Sequence, residues 1–226
     1  EDALHNRRHR FSTLDLRLAH AHGRYALAGY VGMPHELGRH ARFRIELDGL
    51  PGGGASPGGL VYLEVEGLNL ANAGNLLGPI AGAPALAGAV DGRVWLEVAE
   101  GRLQAVSAQV KAERLRVRPA PESDWRSVAA HLSGRFRWQR ESPSGWTLAA
   151  NEVVFVSDYR VWPRSDLLVR YAELDGQAEL QLRLPFLRLE DVAPTLAVLP
   201  QLPAELTEQL ARAQPRGELQ GTELIA

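Results

Sequence analysis

The residues able to do chemistry in this chain are few and scattered. Its seven histidines are His5, His9, His20, His22, His35, His40 and His131. His20-Ala21-His22 puts two imidazoles on one face of a strand, a spacing that could hold zinc if a third ligand came from elsewhere. The pair sits just before Gly23 at an expected hairpin end, where exposed histidine needs no metal to explain it, and no metal site is expected. Ser12, Ser107, Ser133 and Ser157 lie in strand or turn contexts without a Gly-x-Ser-x-Gly elbow, so no acyl-transfer nucleophile is indicated. Glu64 and Glu66 alternate with apolar residues as solvated strand positions do, not as an acid–base pair. Gly52-Gly53-Gly54 lacks the Lys-Ser or Lys-Thr of a phosphate cradle. With no cysteine, thiol nucleophiles and disulfide frameworks are excluded. Five tryptophans (Trp95, Trp125, Trp138, Trp146 and Trp162) are spread along the chain, a distribution suited to packing within a β structure and not to a stacking platform. Neither an enzyme nor a cofactor site is expected.

Charge points the same way. Across 226 residues, 25 basic and 27 acidic side chains leave a formal charge of −2, and no single-sign field exists to neutralise phosphates, so no nucleic-acid partner is expected. Lys111 is the only lysine, and the arginines are dispersed, as coding bias in a GC-rich genome would leave them. Absence of cysteine suits an oxidising compartment such as a periplasm. No window approaches the roughly 18–20 apolar residues of a membrane span. The chain starts at Glu1 without methionine and ends Gly-Thr-Glu-Leu-Ile-Ala, which reads as a piece of a longer protein.

The elements that position these side chains announce themselves by period-2 alternation. Leu14, Leu16 and Leu18 alternate with Asp15 and Arg17; Phe43, Ile45 and Leu47 with Arg44 and Glu46; Val61, Leu63 and Val65 with Tyr62 and Glu64. Val94, Leu96 and Val98 follow, then Leu115 and Val117, Phe136 and Trp138, and last Ala178, Leu180, Leu182, Leu184 and Phe186. Turns are expected at Gly23, Gly49, the Pro51–Gly59 loop, Asp91-Gly92, Glu100-Gly101, Ser142–Gly145 and Asp175-Gly176, which implies an antiparallel meander of hairpins. Each strand has a wet face of Arg, Glu, Asp and Gln and a dry face of Leu, Val, Ile and Phe.

Helical spacing occurs in two places, Ala71–Ala87 and the run Val192, Leu196, Leu199, Leu202, Leu206 and Leu210, which prolines 194, 200 and 203 break into short pieces. A shift of 119 residues lays Leu63–Leu70 over Leu182–Leu189 and Leu77 over Leu196, so strand-plus-helix units about 59–118 and 176–226 are expected as repeats. The whole of 1–226 reads as a single elongated segment. With few helices to cover the dry face, either a second sheet covers it in a sandwich or the sheet curls into an open apolar trough.

Several lines of sequence bear on this choice. Met33–Gly49, Gly59–Leu70, Val90–Leu103, Leu187–Pro200 and Ala213–Leu219 together resemble, in order and content, the N-terminal half of the YhdP branch of the AsmA-like proteins. That resemblance implies a rod of repeating β-groove units in the envelope of a Gram-negative bacterium. The full-length protein would be anchored in the inner membrane, extend through the periplasm and carry phospholipid toward the outer membrane in support of its barrier. It implies no catalytic residues. Membrane contact would come through parts of the longer protein. The expected fold is mostly β, a long antiparallel meander curled into an open apolar groove with a few short helices. Leu14, Leu16, Leu18, Phe43, Ile45, Leu47, Val61, Leu63, Val65, Val94, Leu96, Val98, Leu180, Leu182 and Leu184 are its candidate floor. Each CH₂ of an acyl chain that leaves water for such a floor gains about 0.8 kcal/mol without any specific polar contact. The alternative is a structural or adhesive β-sandwich repeat of a secreted protein. A carbohydrate-active enzyme would need two apposed carboxylates in a cleft.

Overall fold

A computed structural model describes residues 11–49, 58–77, 84–119, 122–157, 160–174, 177–190, 212–213 and 216–225. The strands are β1 (Thr13–Ala21), β2 (Arg24–Gly32), β3 (His40–Asp48), β4 (Gly58–Asn69), β5 (Ala85–Ala99), β6 (Arg102–Arg118), β7 (Arg126–Ser142), β8 (Gly145–Ser157), β9 (Arg160–Val161), β10 (Ser165–Leu174), β11 (Gln177–Arg188) and β12 (Glu218–Ile225); the helix α1 (Leu70–Leu77) follows β4, and residues 189–190 and 212–213 are also helical. All of them form one open sheet in the order β1-β2-β3-β4-β5-β6-β7-β8-β10-β11-β12, each strand antiparallel to its neighbours, with β9 paired to β8. This is the expected meander. The sandwich alternative fails, because every described strand belongs to this one sheet.

The turn chemistry sets the hairpins. His22 and Gly23 take φ of 51° and 75°, and Glu100 and Gly101 take 53° and 69°, the left-handed pairs that a two-residue hairpin turn requires. His22 is therefore a turn residue, and the two imidazoles do not share a strand face as the spacing had suggested. Asp91-Gly92 is a second correction. It lies inside β5, opposite Lys111 and Val110, because the Asp91 carboxylate accepts a 2.7 Å hydrogen bond from the Gly67 N–H and so serves the neighbouring strand instead of a turn. The expected loop at Pro51–Gly59 ends earlier than the composition suggests, since Gly58 and Gly59 already pair with Asp48 and Leu47; residues 51–57 lie outside the described set. The helix expected over 71–87 is α1, capped by the Asn69 side chain, which accepts from the Asn72 N–H at 3.1 Å. Ala85–Ala87 belong to β5 instead, for Pro84 immediately before them has no N–H with which to continue a helix. The run from Val192 to Leu210, Asp175-Gly176 and much of the second expected repeat lie outside the described residues.

Bulges bend the long central strands. An extra residue in β4 at Gly67 and others in β6 and β8 shift the register against their neighbours. The buried hydrophobic residues are Leu37, Ala87, Ala105, Ala112, Val117, Ala129, Ala150 and Phe186, mostly alanines, and no large side chain is fully buried among the described residues. Among the described residues only α1 packs on the sheet, against β5 and β4, and no second sheet covers it, so they form no conventional core.

Candidate apolar groove

The register determines which side chains are neighbours across the sheet. Paired residues of antiparallel strands share a face, so a row can be followed from edge to edge. Leu18 pairs with Leu27, Leu27 with Ile45, Ile45 with Val61, Val61 with Leu96 and Leu96 with Val106. Val106 then pairs with Trp138, Trp138 with Leu148, Leu148 with Val169, Val169 with Leu182 and Leu182 with Leu224. One apolar residue comes from every strand of the path. Strands lie about 4.8 Å apart, so the ten steps span about 48 Å perpendicular to the chain direction.

Flanking rows continue the surface. Leu16, Gly29, Phe43, Leu63, Val94, Ala108, Phe136, Ala150 and Leu167 form a second one. The Phe43 ring lies over Gly29, where an added Cβ would come within 2.4 Å of it. Leu14, Val31, Ala41, Val65, Gly92 and Val110 form a third. Leu47 and Val98 stand on the same face beside Gly59. Leu180 pairs with Tyr171, which pairs with Trp146, and Leu184, two residues from Leu182, completes the set. All the expected floor residues thus lie on one face. Leu14, Leu16, Leu18, Leu63 and Leu180 are each more than two-fifths exposed, while the central row from Leu27 to Leu182 is half-buried, so among the described residues this apolar surface is open to solvent, most of all at β1.

Aromatic groups mark its ends. His20 stacks on Tyr25 at 4.3 Å near the β1 edge, and Trp146 stacks on Tyr171 at 6.0 Å towards the other side. Trp162 bridges Phe155 and Phe186 edge-on at 5.1 and 5.5 Å. The tryptophans are distributed among local packing contacts, as expected.

The opposite face carries the charge. Glu64 accepts from Arg93 at 3.1 Å and from the Tyr62 hydroxyl at 3.1 Å, with Arg42 at 3.9 Å. These donors, Arg93 first, hold the Glu64 carboxyl below the usual glutamate range, while burial followed by the Glu64 contact raises Tyr62. Glu113 is lowered mainly by His131, whose Nδ1 lies 3.1 Å away, and Glu223 by Gln181 and then Arg183. Glu66 pairs with Arg39 and His40, Arg24 with Asp48 and Arg135 with Glu152; Arg188 and Glu218 pair on the apolar face instead, at its β11–β12 margin, where the Arg188 guanidinium lies over the Phe186 ring. A shallow cavity of about 600 Å³ opens on the charged face, lined by the acids Glu64, Glu66, Asp91 and Glu152 and the bases Arg93, Lys111, Arg135 and Arg164. Four acids face four bases, so no net charge there selects a ligand. No group of three or more His, Asp or Glu side chains among the described residues is placed to hold a metal ion, and none of the helices described is long and apolar enough to cross a membrane.

Sequence reasoning missed part of the floor. Leu27, Val31, Leu148, Val169 and Leu224 come from strands whose alternation is blunted: alanine and glycine stand on the second face of β2 and β8, Ala26 and Ala28 being the clearest case, Leu168 stands on that of β10, and in β12 Glu218, Gln220 and Thr222 share the face of Leu224 while Leu219 and Ile225 stand on the other. The detectable signal was the length of chain between the clear strands, which leaves room for one more strand in each gap. A family model described as YhdP protein matches residues 2–225. No curated protein and no solved structure matches the chain.

Proposed function

Because the chain belongs to the YhdP family, we propose that it is a non-catalytic section of a periplasmic bridge that moves phospholipid between the inner and outer membranes, acyl chains sliding along its apolar face. The observation that carries this reading is the unbroken row from Leu18 to Leu224. A floor of Leu, Val, Ile and Trp offers a lipid tail continuous dispersion and hydrophobic contact with no polar group to fix it at one point. Uniformity along the row favours movement over capture. Headgroups, which lose much if stripped of water, stay at the rim. The inner-membrane anchor and the outer-membrane contact belong to other parts of a longer protein.

The test is extraction of the natively purified chain followed by mass spectrometry of the lipids. Co-purifying phospholipid is expected in the parent and in the charged-face control Arg137→Gln. It is expected to fall several-fold in Val61→Asp and Leu182→Asp, with circular dichroism reporting that both remain β-folded. A folded parent that retains no phospholipid, or folded Asp variants that retain as much as the parent, would overturn the reading.

A further inference from the structure

Arg140 is a cation on the apolar face without a counter-charge. Its guanidinium carbon lies 5.8 Å over the ring of Trp138, a member of the central row. Arg140 is the register partner of Trp146, Trp146 of Tyr171 and Tyr171 of Leu180, so all four stand on that face. The Nε–H and Nη1–H groups of Arg140 donate to the Leu103 and Pro143 carbonyls at 3.1 and 3.3 Å. These bonds and the ring fix the side chain, yet they bring it no negative charge. Arg188, which lies over Phe186 on the same face, is neutralised by Glu218 at 2.7 Å. Arg93 and Arg135 on the charged face are answered by Glu64 and Glu152, whereas no carboxylate among the described residues forms an ion pair with Arg140. Glu173 shares the face by alternation from Tyr171 but stands two strands away, on β10. A half-buried guanidinium with its Nη2 group still to donate is completed by an anion from outside the sheet.

The position of Arg140 says what the anion is attached to. β7 ends at Ser142, so Arg140 marks the rim of the groove on the hairpin side. Tyr171, stacked on Trp146 at 6.0 Å, and Tyr25 stand at the same ends of their strands. Rings with one apolar and one polar end collect where hydrocarbon meets water. From Trp138 the apolar face runs along β7 through Phe136 to Leu132, six residues or about 20 Å. One leaflet of a ~30 Å hydrocarbon core is about 15 Å deep, so an acyl chain fits along the strand. We propose that Arg140 holds the phosphate of a phospholipid headgroup at this rim, with an acyl chain laid along β7 over Trp138, Phe136 and Leu132. This rests on the apolar face holding acyl chains, and it adds which end of the lipid lies at which end of the strands. A guanidinium suits phosphate because its planar N–H groups donate to two oxygens at once. The tail then moves sideways from strand to strand while the headgroup keeps to the rim.

The test incubates the 226-residue chain with vesicles of phosphatidylglycerol mixed with diacylglycerol of the same acyl chains. The chain is re-isolated by gel filtration, and both lipids on it are quantified by mass spectrometry. Phosphatidylglycerol is expected in excess of diacylglycerol on the parent and on Arg137→Gln. In Arg140→Gln it should fall about tenfold, towards the level of the diacylglycerol, which itself stays unchanged. Arg140→Lys keeps the charge without the fork and should keep part of the preference. A parent that takes both lipids equally, an Arg140→Gln chain that keeps the preference, or one that loses both lipids together would overturn the phosphate contact and leave the groove standing. Displacement of the lipid by inorganic phosphate alone would give Arg140 to a free anion, and oleate retained ahead of phosphatidylglycerol would give it to a carboxylate; either overturns the proposal. A parent that takes neither lipid would refute the groove itself, and the headgroup contact with it.

Discussion

Glu64 shows what the charged face contributes. Its carboxylate is shared by Arg93, Arg42 and the Tyr62 hydroxyl across β3, β4 and β5, so three strands meet at one acceptor. A carboxyl held below its ordinary value of 4.5 is protonated more readily in the unfolded chain than in the folded one. The stability it adds is therefore complete above that value and is lost as the pH falls through the lowered one. Glu113 and Glu223 shift in the same direction for the same kind of reason. Melting followed by circular dichroism should thus show a midpoint that drops as the pH is taken from 6 to below 4, with a shallower drop in Glu64→Gln. An equally steep acid limb in that variant would mean that Glu64 takes no part.

The strands depend on their irregularities as much as on their pattern. Two bulges are held by the same device: Gly67 donates its N–H to Asp91 at 2.7 Å, and Glu152, at φ 54°, donates its N–H to Asp166 at 2.7 Å. In each case a carboxylate on the next strand satisfies a backbone donor that the ladder would otherwise use. At Gly88, φ is 137° and an added Cβ would stand 2.9 Å from the Glu113 carbonyl, a conformation only glycine holds cheaply. Gly88→Ala should cost about 1–3 kcal/mol and Asp91→Ala about 1–2 kcal/mol, measured by urea unfolding; losses under a few tenths would show that these bulges are not structural. Such features explain what the sequence could and could not display. Strands with a charged second face, such as β3 and β4, were legible from alternation alone. β2 hides because Ala26 and Ala28 replace charges on that face. Asp91-Gly92 misleads because its turn-forming pair is used within a strand, a role visible only once Gly67 is across from it. The faces of individual strands could be read, but their alignment into rows could not, since each bulge resets the register by one residue.

As a molecule, the described residues form one open sheet with a charged side and an apolar side, and among them Leu, Val, Ile and Phe stay at least partly exposed where a globular domain would bury them. Covering that face with a second sheet would have made it a core; leaving it open makes it a surface whose extent, about 48 Å along the central row, follows from strand count. Apolar surface of this size seldom stays exposed without a ligand or partner. An acyl chain is the occupant the family membership favours, and a lipid on the wrong face would refute that. Photo-crosslinking amino acids introduced at Val61, Val106 and Leu182 in the row, and at Trp95, Gln109 and Arg170 on the charged side, should be exposed to light in the purified chain with phospholipid vesicles. Phospholipid adducts are expected at all three row positions and at none of the other three; adducts absent from the row, or equally abundant on both faces, would contradict the groove.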